Sequence, residues 1–269
     1  MVTLEKKQRQ LPLGQWIWFQ GGQGPALVLF PGFGDSHKTF LRLGRELAQD
    51  FEVFLPETPG FGETEPLAPS EYRLSRQVAR CWQWLEALGL QRPFLGGNSA
   101  GGQLAALLAL ERPAQVRGLV LLAPQGVETA DFVPYSHKND PPQSLEDFRG
   151  ILAKLYHRPP ELPQEQLAQI LAKAQSRWDW LNQIRAEIRC EPEYRLNDRL
   201  AGLKPPALVL WGEQDGRIPT AIAPHWKRLC PQVRLERIEA CGHLPQLEQT
   251  ARTAQQVRRF GLGLAMDLD

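Results

Sequence analysis

A serine framed by small residues, Gly97-Asn98-Ser99-Ala100-Gly101, sits between an apolar run and a helix-forming one. A G-x-S-x-G spacing in that context is the pattern of a sharp strand-to-helix turn that pushes the serine hydroxyl into a site. The flanking positions must be small because the two backbones crowd at such a turn. The helix that follows aims its first amides at the serine, and the N–H of Ala100 is then an oxyanion donor. Alone, the same turn could merely close a tight connection, so the reading depends on whether the remaining parts follow in order. Asp215 stands just past one later apolar run, in Trp211-Gly212-Glu213-Gln214-Asp215, and His243 just past the next, in Cys241-Gly242-His243. A free serine hydroxyl is a weak nucleophile. An imidazole must take its proton and later protonate the leaving group, while a carboxylate fixes the imidazole tautomer. The pattern therefore assigns Ser99 as nucleophile, His243 as general base and Asp215 as the orienting acid. The second oxyanion donor falls on the backbone N–H of Phe33, in the turn Phe30-Pro31-Gly32-Phe33-Gly34. His37, His137, His157 and His225 lack a comparable setting, and Asp198 is the rival carboxylate to Asp215.

These side chains need elements that end at one common edge. Residues 26–30 are a short apolar run closed by Pro31, Gly32 and Gly34, and residues 51–55 are another, closed by Pro56, Pro59, Gly60 and Gly62. Each reads as a buried strand ending in a tight turn. Between them Phe40, Leu43 and Leu47 recur at helical spacing, giving a strand–helix–strand unit. Leu74, Val78, Cys81, Leu85 and Leu88 mark an amphipathic helix that Gly89 terminates. Phe94 and Leu95 lead into the serine turn, with a helix expected over 103–110 and a strand over 116–123. Further strands are expected at 207–211 and 233–238, and helices over 221–229 and 250–260. Such alternation implies an α/β fold whose sheet is mostly parallel and covered on both faces. In such sheets the carboxyl ends of the strands carry the site.

From 127 to 200 the pattern changes to helical segments broken by Pro141, Pro142, Pro159, Pro160 and Pro163, with no strand signal. This stretch reads as a helical insertion into a core made by residues 1–126 and 201–269. Phe148, Leu155, Tyr156, Trp178, Trp180 and Leu181 could line an apolar acyl pocket there. An apolar stripe at helical spacing ordinarily packs helix on helix, so none is assigned to the site.

Composition bounds the remaining classes. The chain has 269 residues, 42% of them hydrophobic, enough for a real core. Thirty-one Lys and Arg against thirty Asp and Glu leave a formal net charge of +1 without a basic stripe, so nucleic acid is not an expected partner. Residues 1–15 are mixed polar and charged, and no apolar run approaches the roughly 18 residues of a transmembrane candidate. Cys81, Cys190, Cys230 and Cys241 show no CxxC spacing and no disulfide-scaffold density, which suits a reducing cytoplasm. Cys241, close to His243, reads as a small buried residue.

With these residues in place, the chain resembles the α/β-hydrolase superfamily, in particular the monoacylglycerol lipase and esterase group that includes bacterial cold-adapted lipases. The resemblance spans most of the chain and is carried by residues 30–40, 56–63, 97–102, 144–149, 211–215 and 241–244. It implies a Ser-Asp-His triad at Ser99, Asp215 and His243, a helical cap over the pocket, no cofactor, and a small ester with an apolar acyl group as substrate. Two positions depart from the pattern. Relatives usually carry His-Gly where Pro31 and Gly32 stand, and that imidazole normally braces the oxyanion loop. They often carry Asp at the position of Glu57. Serine at the nucleophile position argues against haloalkane dehalogenases and epoxide hydrolases, which use a carboxylate there. The same motifs also occur in hydrolases that cleave carbon–carbon bonds, and the fold also serves non-catalytic receptors and accessory proteins. Ester hydrolysis is the leading expectation.

Overall fold

The computed structural model describes residues 2–133, 141–191 and 195–266. Among them eight strands form one sheet: β1 (Glu5–Leu11), β2 (Gly14–Gly21), β3 (Ala26–Phe30), β4 (Glu52–Pro56), β5 (Phe94–Asn98), β6 (Gly118–Leu122), β7 (Ala207–Gly212) and β8 (Arg234–Ile238). Their spatial order is β1-β2-β4-β3-β5-β6-β7-β8. The pairs from β4 through β8 are parallel, and β1-β2 and β2-β4 are antiparallel. The central strands β5, β6 and β7 are buried along their whole length. That is why they read as unbroken apolar runs rather than as alternating ones.

Burial divides by face with the period of two that a strand imposes. Val28, Phe30, Leu95, Leu119, Leu121, Val209 and Trp211 join one cluster. Leu27, Leu29, Phe94, Val120, Leu122, Leu208 and Leu210 join the other. The first face is covered by α2 (Leu74–Ala87), α3 (Ala100–Glu111) and a short helix at Ala223–Leu229, the second by α1 (Leu41–Leu47) and the closing helix at Thr250–Met266. The closing helix runs past the expected stop at Phe260: Gly261 and Gly263, whose helix propensity is weak, are helical here. Likewise α3 begins at Ala100 rather than at residue 103, the weak helix propensity of Gly101 and Gly102 having hidden its first turn.

The β1-β2 hairpin has no counterpart in the sequence reading. β1 is exposed at all but its last residue, so it carries no alternation, and it is a strand because its backbone pairs from Glu5↔Gln20 to Leu11↔Gly14. β2 is held from below: the Trp16 ring stacks on Trp84 of α2 at 4.8 Å, and Trp18 meets the same ring edge-on at 5.8 Å.

Between β6 and β7 lie α4 (Leu145–Leu155), α5 (Gln164–Ser176) and α6 (Trp178–Arg189). Ser144 and Asp147 start α4 with a reciprocal capping box. Phe148 packs with Leu167 and Leu171 in a small cluster between α4 and α5. On α6, Ile184 and Ile188 belong to the main core. The Trp180 indole donates to the Leu67 carbonyl at 3.2 Å, and its ring packs on Phe61 and Tyr72. The helices after β7 are labelled α7 (Ala223–Leu229), α8 (Pro245–Glu248) and α9 (Thr250–Met266).

Packing is tight at the β5–α3 turn. A Cβ on Gly97 would lie 2.4 Å from the Phe30 carbonyl oxygen, and one on Gly101 2.1 Å from the same atom and 2.5 Å from the Pro31 oxygen. Gly150 in α4 is exposed and would meet nothing within 4 Å. Gly101→Ala is therefore expected to destabilise by about 3 kcal/mol, lowering the melting temperature by several degrees. Gly150→Ala is expected to stabilise by about 0.5 to 1 kcal/mol. Thermal denaturation of the two variants beside the wild type checks both signs.

Candidate active site

Ser99 follows β5 directly, with φ 54° and ψ −115°, a conformation that L side chains rarely adopt and that costs about 1–3 kcal/mol. The surroundings hold it there. The Ser99 N–H donates to the Leu122 carbonyl at 2.9 Å, and the Ser99 carbonyl accepts from the N–H groups of Gln103 (3.1 Å) and Gln125 (3.0 Å). Because Ala100 is the first residue of α3, its amide belongs to the set that no helical carbonyl of the preceding turn can satisfy.

Asp215 lies in the loop after β7. Its Oδ1 accepts from the N–H groups of Arg217 (2.8 Å) and Ile218 (2.9 Å), leaving Oδ2 to accept from His243 Nδ1 at 2.8 Å. With Nδ1 as donor, the free lone pair of the neutral ring is on Nε2. The backbone around His243 is fixed as closely as its ring. Its N–H donates to the Leu155 carbonyl at the end of α4 (2.7 Å), and its carbonyl accepts from Asn98 Nδ2 (2.9 Å). The preceding Gly242 N–H donates to Glu248 Oε2 at 2.7 Å. Gln214 donates its N–H to the Cys241 carbonyl and accepts the Cys241 N–H on its side chain, both at 2.9 Å, joining the Asp215 and His243 loops. Asp198 is exposed and is not the carboxylate bonded to the imidazole.

The structure thus joins His243 to Asp215 directly, and to the serine turn through the Asn98 side chain. The Ser99 hydroxyl itself donates to Gln125 Oε1 at 3.4 Å. Gln125 is absent from the sequence reading. The signal that could have found it is its place just past β6, the strand beside the one that ends at Ser99.

The turn after β3 passes over the serine: a Cβ on Gly32 would stand 3.8 Å from Ser99 Cβ. Phe33, next in line, is half-buried, with its ring edge-on to Phe61 at 5.9 Å and the Arg185 guanidinium 4.9 Å above it. Behind this turn Gly32, Phe33, Phe61, Ala100, Leu104 and Ile184 border a space of about 20 Å³, room for one water. His37, given no role by the sequence reading, is buried, with Nδ1 against Glu57 Oε1 and its N–H on Oε2 at 3.2 Å. His37, Glu57 and Glu63 are the one group among the described residues whose ligand atoms lie close enough for a metal, within 4.8 Å of one another. His37 and Glu57 bind each other and Glu63 binds Lys6 at 2.5 Å, so the group reads as two polar pairs.

Comparison with known proteins agrees with this fold. Residues 25–250 match the family model described as the alpha/beta hydrolase fold. Lipase 1 of Psychrobacter immobilis is 29% identical over 268 residues, covering 96% of this chain and 84% of that one. The 2-hydroxy-6-oxo-6-phenylhexa-2,4-dienoate hydrolase of Burkholderia cepacia is 28% identical, covering 84% of each. The crystal structure of a membrane phospholipase A, a bacterial virulence factor, superposes with a TM-score of 0.88 at 28% identity, covering 97% of this chain and 87% of that one.

Burial perturbs three groups around the site. Cys241 is pushed up to about 12, chiefly by burial and then by Glu248 and Asp215, which makes its thiol inert. Tyr156 is raised by burial, with Asp35 and Glu248 adding to it. Asp35, in the turn that carries Phe33, is raised to about 6, first by burial and secondarily by the Glu57 charge, against lowering hydrogen bonds from Ser36 and Thr39. A carboxyl raised on folding holds its proton more tightly in the folded state, so its contribution falls as pH rises from about 4 to about 6. Allowing for solvent screening of a half-buried group, that loss is about 1–2 kcal/mol. Asp35→Asn keeps the side-chain oxygen and removes the charge. Urea unfolding at pH 4 and pH 7 is expected to show the variant gaining on the wild type by that amount at the higher pH.

Proposed function

Because the chain belongs to the α/β-hydrolase family, we propose that it is a serine hydrolase cleaving carboxylic esters through an acyl-enzyme. The reading is carried by the Asp215–His243 hydrogen bond, 2.8 Å long and made at Nδ1, since that leaves Nε2 to act as the base. Ser99 is the nucleophile: leaving Gln125, its hydroxyl gives the proton to Nε2 as Oγ attacks the ester carbonyl. The N–H groups of Phe33 and Ala100 take the negative charge that develops on the carbonyl oxygen. The imidazolium, stabilised by Asp215, then protonates the departing alcohol, and water repeats the sequence to release the acid. The lipase among the relatives supports esters as substrates. The apolar rings of Phe33, Phe61 and Trp180 near the site support an apolar acyl group.

Residues 127–200 act as the cap over this site in our reading, supported by α6 resting on the core beside Phe61 and by the His243–Leu155 hydrogen bond at the end of α4. No helix among the described residues is long and apolar enough to cross a membrane. Four free cysteines, three of them buried, support a reducing, cytoplasmic setting.

An alkyl fluorophosphonate is expected to label the wild type and not Ser99→Ala. Ser99→Ala and His243→Ala should each lower kcat on short nitrophenyl esters by about 10³-fold or more. Asp215→Asn, which loses the tautomer control, should cost about 10³- to 10⁴-fold. Equal labelling of Ser99→Ala, or turnover of a vinylogous diketone with none of any ester in a broad panel, would overturn the ester reading.

A further inference from the structure

A fully buried polar pair lies outside the proposed triad. His37 is 2% exposed and Glu57 0% exposed, and one carboxylate engages both the ring and the backbone of one histidine. We propose that His37 and Glu57 are the positioning pair of the oxyanion loop, holding the Phe33 N–H at its place over Ser99. The proposal rests on the serine-hydrolase reading above.

Pro31 has no N–H to give, Gly34 is at φ +75°, and the backbone bond that closes the turn runs from Asp35 N–H to the Gly32 carbonyl at 3.2 Å. An oxyanion donor works only if it is fixed before charge develops, because reorganisation during the reaction cancels its benefit. The near end of the loop is fixed where the Phe30 carbonyl is packed beneath Gly97 and Gly101. The far end is His37. Its N–H and its Nδ1 land on the two oxygens of Glu57, and its ring stacks on Phe19 of β2 with centroids 3.9 Å apart.

Glu57 is in turn held by its neighbours. Its N–H donates to the Ile17 carbonyl at 2.8 Å, and Gly62 covers the carboxylate so closely that a Cβ there would lie 2.0 Å from Oε2. The loop over the serine is thus clamped to the middle of β2 and to the end of β4, and the Phe33–Phe61 contact adds a second link. An apolar pair would fill the same space without desolvating a carboxylate, so we assign this pair to geometry rather than to stability.

The test compares His37→Ala, His37→Asn and Glu57→Gln by ester kinetics and by calorimetric binding of an alkyl boronic acid, whose tetrahedral serine adduct needs the oxyanion donors. His37→Ala is expected to lower kcat by about 10- to 100-fold with KM changed by less than about 3-fold, since the ground-state carbonyl gains little from the donors. Boronic acid affinity should fall in parallel, and His37→Asn, whose amide can still donate to Glu57, should recover part of both losses. Ser99→Ala separates the two claims. If it keeps turnover, the serine-hydrolase reading fails. If it is inactive while the folded His37 and Glu57 variants keep wild-type kcat and boronic acid affinity, only the positioning proposal fails. A rise in KM at unchanged kcat also overturns it. So does a failure of all three variants to fold, because the pair would then be a folding requirement.

Discussion

One amide nitrogen ties the site together. Asn98 Nδ2 donates to the Leu122 carbonyl at 3.0 Å and to the His243 carbonyl at 2.9 Å, so the turn carrying Ser99 is fastened to the end of β6 and to the loop of the proposed base. Both bonds are buried, where an unmet donor or acceptor costs about 1–3 kcal/mol. Every other feature of the site assumes that fastening. In the proposed mechanism the Asp215–His243 pair can serve Ser99 only if the imidazole is brought to this edge, and the oxyanion donors matter only if the serine does not wander.

The parallel sheet makes such a fastening possible. Parallel strands end at the same edge, so the loops after β3, β5, β6 and β7 emerge side by side although they are far apart in the chain. The cost falls on the packing at that edge. Gly96, Gly97, Gly101 and Gly212 each stand where a Cβ would lie within 2.5 Å of a carbonyl oxygen on another segment. Small residues there let strand ends and the start of α3 close on one another, and the positive φ of Ser99 is the strain that this closeness holds in place.

The helices between β6 and β7 are built into the same edge. Leu155, at the end of α4, accepts the His243 N–H, and Glu248 accepts the N–H groups of Gly242 (2.7 Å) and Arg158 (3.0 Å). The His243 backbone is therefore held from the sheet side by Asn98 and from the helical side by Leu155, while its ring is held by Asp215. A displacement of α4 would therefore pull on the His243 backbone.

The repeating and crowded parts of this molecule are legible in one dimension. Apolar runs at 26–30 and 207–211 become β3 and β7 because a strand buried on both faces must be apolar throughout, and the amphipathic spacing from Leu74 becomes α2. The G-x-S-x-G turn is legible for the same reason, since backbone crowding leaves a composition that little else produces. The β1 strand is not, because its side chains are solvated and only pairing with β2 makes it extended. Nor are the partners of individual polar groups. Pro31 leaves the turn after β3 without the imidazole that the resemblance puts there, and the fold brings His37 and Glu57 together at the far end of that turn. Gln125 meets the Ser99 hydroxyl through the neighbouring strand. The sequence by itself determined which residue types could do the chemistry and which elements end beside them, because burial periodicity and steric crowding are written locally. Which donor meets which acceptor was decided only in three dimensions, because a hydrogen bond depends on a few tenths of an ångström between segments that composition and spacing do not relate.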